Sequence, residues 1–272
     1  MKQRFITGAL LILLLVVLLW LPGWCMALAT LTAIGFATWE EYHALKLAGH
    51  QVVTWPTWVV LISSIPLTIA AGQKVMIPLL SAALLVMICI ILFRKEPQLM
   101  DLSMSALPIL TVLLPGLCLV SMSLVDQKAV KVVLLSLTFA VPLFGDMMAL
   151  YIGSAVGGKK LCPAVSPHKT IAGSIGGMAG SVAAAMIVCL IAALTCNEAT
   201  LAKLPSWWQY LCLGFLGGIV GQLGDLFASL VKRHSGIKDF SNLFPGHGGM
   251  LDRLDSVLFM AVLMYCMRLF SA

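Results

Sequence analysis

The chain has 272 residues, of which 61% are hydrophobic and only 10% charged, with a formal net charge of +6 and a mean hydropathy of +1.03. These values exclude a soluble globular enzyme. They also remove the usual meaning of a basic balance: in so apolar a chain, excess Lys and Arg reflects a positive-inside bias and attraction to anionic lipid, not nucleic-acid binding.

In chain order, nine apolar stretches approach or exceed the roughly 20 residues needed to cross a bilayer as helix. They cover about 5–22, 24–46, 52–72, 75–93, 103–124, 130–153, 170–195, 206–231 and 253–270. The expected fold is an all-α polytopic membrane protein of about nine transmembrane helices. Residues 1–125 would form an N-terminal region of about five spans, and residues 126–272 a C-terminal catalytic region of about four, within one integral unit. The first stretch follows Met1-Lys2-Gln3-Arg4, as a signal peptide would, but it is long for one and LPGWCMA offers no convincing small-residue cleavage site, so a retained span is expected. WEEYHALK at 39–46 reads as the interfacial end of the second span. Eight cysteines occur singly, without metal-site spacing, and read as small buried hydrophobes. No inverted repeat of the kind common in transporters is evident.

Basic residues set an expected orientation. With the amino terminus in the cytoplasm, that side holds Lys2, Arg4, Lys46, Arg94, Lys95, Lys159, Lys160, Lys169, Lys232, Arg233, Lys238 and Arg253. The other side holds Lys74, Lys128, Lys131, Lys203 and Arg268, so the count is twelve against five. Two long polar loops, 153–170 and 231–252, then share the cytoplasmic face.

Six acids (Glu40, Glu41, Glu96, Asp101, Asp126 and Glu198) fall at expected span ends or short loops, where solvation accounts for them. The other five, Asp146, Asp225, Asp239, Asp252 and Asp255, lie in the C-terminal half near one membrane face. An ionisable group within a span is costly and is a functional-site candidate by default. Asp225, Ser229 and Lys232 share a helix face at i, i+4 and i+7. Asp252 and Asp255 open the last span after PGHGGM. Acids in a first helical turn complement the helix dipole, yet a glycine-rich loop feeding a helix amino terminus also presents N–H groups to an anion. Carboxylates beside a phosphate cradle call for a divalent ion, and Mg²⁺ suits one or two carboxylates plus substrate phosphates. The loop at 153–170 adds Gly153, Gly157, Gly158, Lys159, Lys160, Ser166, Lys169 and Thr170, a basic, hydroxyl-bearing turn suited to a phosphate or a lipid headgroup.

Together these residues resemble the phosphatidate cytidylyltransferases, or CDP-diacylglycerol synthases. That family's C-terminal signature is met by Ser229, Lys232, Arg233, Lys238, Asp239, Ser241, Pro245, His247, Gly248, Gly249, Asp252, Arg253 and Asp255. A second family segment matches less closely. Leu150 stands where a tyrosine usually follows Ala149, and Ile171-Ala172 stand where an aromatic residue and an acid usually precede glycine.

The resemblance implies transfer of CMP from CTP to phosphatidic acid, giving CDP-diacylglycerol and pyrophosphate, at the cytoplasmic face of the cell inner membrane. It implies Mg²⁺, with room for a second cation, held by Asp225 and Asp252. Lys232, Arg233, Asp255 and His247 would be catalytic; Ser229, Lys238, Gly248, Gly249, Arg253, Asp146, Ser166 and Lys169 would bind substrate. Phe240 and Phe244 are the candidates for reading cytosine. CTP, phosphatidic acid and the lipid bilayer are the expected partners, without nucleic acid; a homodimer is compatible with the sequence. The alternatives are a divergent paralogue, or a transporter of an anionic lipid or metabolite using the same acids. The Asp-Gly-x-x-Ala-Arg core of another membrane transferase class, the CDP-alcohol phosphotransferases, is absent.

Overall fold

The computed structural model describes residues 2–271. Its helices are α1 (Lys2–Trp20), α2 (Gly23–Leu47), α3 (Trp55–Ala71), α4 (Met76–Leu92), α5 (Leu99–Ser123), α6 (Lys128–Val156), α7 (Ile171–Thr195), α8 (Trp207–His234) and α9 (Leu251–Ser271). Each overlies one of the nine apolar stretches, because a segment removed from water must satisfy its backbone internally and a helix does so. Among the described residues, α5, α6, α7 and α8 are long and apolar enough to cross a membrane. The molecule is thus a helical membrane protein. α5 carries a π-helical turn at Ile109–Leu113, between Pro108 and Pro115, where proline disturbs the regular ladder.

Contacts sort the helix ends into two groups. At one end Lys131 donates to the Leu21 carbonyl at 2.9 Å, Lys128 lies over the Trp20 ring at 5.2 Å and Arg268 reaches the Ser121 carbonyl at 3.5 Å. At the other end the C-terminus of α2 meets the start of α9, and the α2–α3 connection meets the ends of α8 and α5. Two buried clusters join these ends. One gathers Ile34, Met87, Leu113 and Leu258 from α2, α4, α5 and α9. The other gathers Leu135, Leu137, Ala185, Tyr210 and Met260 from α6 to α9.

One departure from a purely helical fold is an antiparallel hairpin, β1 (Lys160–Cys162) with β2 (Ser166–Thr170), pairing Lys160 with Thr170 and Cys162 with Ser166. Gly157 and Gly158, at φ 67° and 91°, end α6 with a backbone that favours glycine. The Thr170 side chain then accepts from Gly173 N at 3.0 Å and caps α7. α6 and α7 pack through glycine: a Cβ on Gly173 would sit 2.7 Å from the Ala149 carbonyl oxygen.

Three acids expected to be solvated are buried instead: Glu40 at 1%, Glu41 at 1% and Asp101 at 5% exposure. α2 continues to Leu47, so the two glutamates lie inside the bundle rather than at an interface. Glu41 accepts from Thr111 Oγ1 at 2.8 and 3.0 Å. Asp101 accepts from Gln51 N at 3.1 Å and pairs with Arg94 at 3.3 Å.

Candidate functional site

A cavity of about 520 Å³ opens where α6, α7, α8 and the hairpin meet. α6 contributes Asp146 and Leu150, the hairpin His168 and Lys169, α7 Ser174, and α8 Gln222 and Asp225. Lys169 lies across the cavity from Asp225, N···O 2.5 Å, and its buried ammonium has no further hydrogen-bond partner among the described residues. Gln222 is fixed by Ser174, accepting from its Oγ at 2.5 Å and donating to its carbonyl at 3.0 Å. Leu150, exposed at 70%, is part of the lining, so an apolar surface runs up to the cavity.

Asp225 acts electrostatically on Asp146 and on Asp255. Ser256 Oγ donates to Asp146 at 3.3 Å and to Asp255 at 3.3 Å. Ser256 thus links the carboxylates of α6 and α9, while Asp225 of α8 lines the cavity with Asp146 and pairs with Lys169. A cation offsets like-charge repulsion among such acids, and Lys169 does so for Asp225. Among the described residues no group of three or more His, Cys, Asp or Glu side chains could by itself enclose a metal. The hard-oxygen donors nonetheless suit a divalent ion that keeps waters and takes further ligands from substrate phosphates.

Asp252 is in a different position. Its Oδ1 accepts from Lys232 Nζ at 2.7 Å, and its Oδ2 from Phe240 N and Gly249 N, each at 2.9 Å. The side chain is only 3% exposed. With three donors satisfied, this carboxylate organises a loop, and it does not sit beside Asp225 as an open pair. Lys232 also lies over the Phe240 ring at 5.4 Å; Phe240 is buried and cannot stack on a base.

The expected phosphate cradle at His247-Gly248-Gly249 is filled by the protein itself. Gly249 N goes to Asp252, while Met250 N and Leu251 N go to Glu40 at 2.9 and 2.7 Å. Both glycines are required here. Gly248 has φ 81°, and a Cβ on Gly249 would lie 2.5 Å from Glu40 Oε1. His247 is half-buried against Gly8 of α1, and its Nδ1 has no hydrogen-bond partner among the described residues.

Other expected residues divide between cavity and rim. Ser229 is half-buried on the α8 face that runs from Asp225 to Lys232. Arg253, Arg233 and Lys238 are exposed, with Arg233 Nε reaching the Val165 carbonyl of the hairpin at 3.4 Å. Ser166 lies at the hairpin turn, outside the cavity lining, whereas His168 and Thr170 border it. Sequence reasoning missed Glu40, Gln222 and His168. Glu40 carried a signal: two adjacent acids several residues inside an apolar helix cannot both be interfacial.

The chain matches the cytidylyltransferase family over residues 2–270. It is 33% identical over 269 residues to a phosphatidate cytidylyltransferase of Brucella abortus biovar 1 (strain 9-941), an alignment covering 97% of this chain and 92% of that one. Proteins of the same name from Bacillus subtilis (strain 168) and Thermotoga maritima share 42% over 128 residues and 37% over 120. These two alignments cover 46% and 44% of this chain, and 44% and 43% of those proteins.

Proposed function

This chain belongs to the cytidylyltransferase family, and from that premise we propose that it transfers CMP from CTP to phosphatidic acid, releasing pyrophosphate. The observation that carries the reading is the cavity, which sets Asp146, Asp225 and Lys169 beside the exposed apolar side chain of Leu150. Such a place suits a ligand with an anionic head and acyl chains.

A phosphatidate oxygen attacks the α-phosphorus of CTP; the bond from that phosphorus to the bridging oxygen breaks, and pyrophosphate leaves. A phosphomonoester with a second pKa of about 6 is already mostly ionised at neutral pH, so no dedicated base is needed. The residues' task is to bring two polyanions together. Lys169 receives the lipid phosphate at the cavity, with Asp146 and the hairpin, Ser166 included, bordering the headgroup. Arg233, Lys238 and Arg253 meet the triphosphate from the exposed rim, and Lys232 sets the loop through Asp252. Ser229 adds a hydroxyl on the Asp225 face, and His247 closes the loop against α1.

Mg²⁺ would be held by Asp225, flanked by Asp255 and Asp146, and would supply charge neutralisation at the reacting phosphates. Asp252, paired with Asp225 in the sequence reading, supports that site through Lys232 and the loop amides. We place the nine helices across the cell inner membrane with the cavity on the cytoplasmic side. The support is that four of the cations assigned to that side, Arg94, Lys169, Lys232 and Arg233, make their ion pairs and hydrogen bonds at the cavity end.

Incubation of the purified protein with radiolabelled CTP, phosphatidate and Mg²⁺ in detergent micelles tests the reading. A labelled CDP-lipid is the expected product. Its absence with an intact, folded preparation overturns the assignment.

A further inference from the structure

We propose that Glu40 of α2 is a positioning residue for the transfer reaction, a buried clamp that fixes the first turn of α9. The inference deepens the cytidylyl-transfer reading and rests on it. Glu40 is 1% exposed, and its carboxylate accepts three hydrogen bonds from the signature loop. Ser241 Oγ donates to Oε1 at 2.5 Å, Met250 N to Oε1 at 2.9 Å, and Leu251 N to Oε2 at 2.7 Å. These partners lie 201 to 211 residues downstream, so one side chain ties the N-terminal helices to the functional end of the molecule.

The chemistry of the loop explains why an acid is needed. A helix amino terminus leaves N–H groups without intrahelical partners, and in a membrane protein each one left bare is costly. Here two carboxylates divide them: Asp252 takes Gly249 N, and Glu40 takes Met250 N and Leu251 N. The two acids do not duplicate each other. Asp252 belongs to α9 and holds Lys232 and Phe240 N. Glu40 comes from outside, and therefore sets where α9 begins relative to the bundle.

That placement reaches the reacting groups within one helical turn. Arg253, Asp255 and Ser256 follow directly, and Ser256 Oγ joins Asp255 to Asp146 of α6 through hydrogen bonds of 3.3 Å each. A displacement of about 1 Å in such a constellation can lower a rate by about 100-fold. Gly249 fits this account, because any side chain there would strike the Glu40 carboxylate.

The test uses the full-length protein with Glu40→Gln and Glu40→Asp. Glu40→Gln keeps the shape but turns an amide NH₂ toward a backbone N–H, whereas Glu40→Asp keeps the charge and both acceptors on a shorter arm. Two readouts are taken on folded protein: amide hydrogen exchange at Met250 and Leu251, and kcat and KM for CTP. Glu40→Gln should speed exchange at those amides by about tenfold or more and lower kcat by about 10- to 100-fold at saturating CTP and Mg²⁺. Glu40→Asp should recover part of both. Unchanged exchange in Glu40→Gln would overturn the clamp. Faster exchange with unchanged kcat would overturn the positioning role. If wild type makes no CDP-lipid, the functional reading fails, while the exchange readout still decides the clamp.

Discussion

Two groups of carboxylates stand side by side at one end of this bundle and behave differently. Around the cavity, Asp146, Asp225 and Asp255 bear on one another, with Lys169 as the cation among them. Around the signature loop, Glu40 and Asp252 are each satisfied by three donors. All five are acids in apolar helices; sequence alone sets Glu40 apart as a solvated span end and groups Asp252 with the cavity acids. The difference lies in their partners: Glu40 and Asp252 hold loop amides in place, whereas the cavity acids share one lysine and one serine. It is there that we place the external cation and the anionic substrates.

The largest effect that could break this contrast is on the unsatisfied side. Asp225→Asn should lower kcat/KM for CMP transfer by about 10³-fold, since a metal contributes several kcal/mol of charge stabilisation. The thermal midpoint in detergent should fall less than in Asp252→Asn, as Asp225 pairs with one partly exposed cation, Lys169. A large drop in midpoint would place Asp225 among the structural acids.

Asp252→Asn should do the reverse. Removing one member of a buried ion pair costs about 3–5 kcal/mol, and two loop amides would lose their acceptor charge as well. Chemical denaturation in detergent should show the loss directly. A variant of unchanged stability would mean that the loop does not depend on this carboxylate.

The cations sharpen the comparison on a smaller scale. Lys169→Ala should raise the phosphatidate requirement by about tenfold, the loss of one charge-assisted contact, with little change in the CTP requirement. Lys232→Ala should raise the CTP requirement and lower stability, because Asp252 would lose its counter-charge. If the two variants behaved alike, the cavity and the loop would not be separate regions.

The smallest effect is expected at Arg94, paired with Asp101 at the same end but with 26% of its side chain exposed. Arg94→Gln should cost no more than about 1 kcal/mol, as partly exposed pairs do, and should leave transfer intact. A marked loss of activity would extend the functional region to α4 and α5.

The helices were legible because hydrophobic length is a strong signal, and the signature loop because its spacing is dense in glycine and charge. The hairpin at 160–170 was not: two glycines, two prolines and three lysines around it read as a loop, and pairing depends on the return of the chain rather than on local pattern. Glu40 was misplaced for a related reason. Its partners are more than 200 residues away, and a sequence cannot say whether an acid near a helix end meets water or another helix's amides. The glycines of PGHGG were recognised as permitting close approach, and in the structure the groups that approach are the carboxylates of Glu40 and Asp252.

The most direct measurement of the central claim is product formation from radiolabelled CTP and phosphatidate by wild type and Asp225→Asn side by side, with and without Mg²⁺. The account predicts a labelled CDP-lipid only with wild type and Mg²⁺, and near-complete loss in the variant while it remains folded, with a thermal midpoint above that of Asp252→Asn. Equal product from both proteins, or none from wild type, would contradict it.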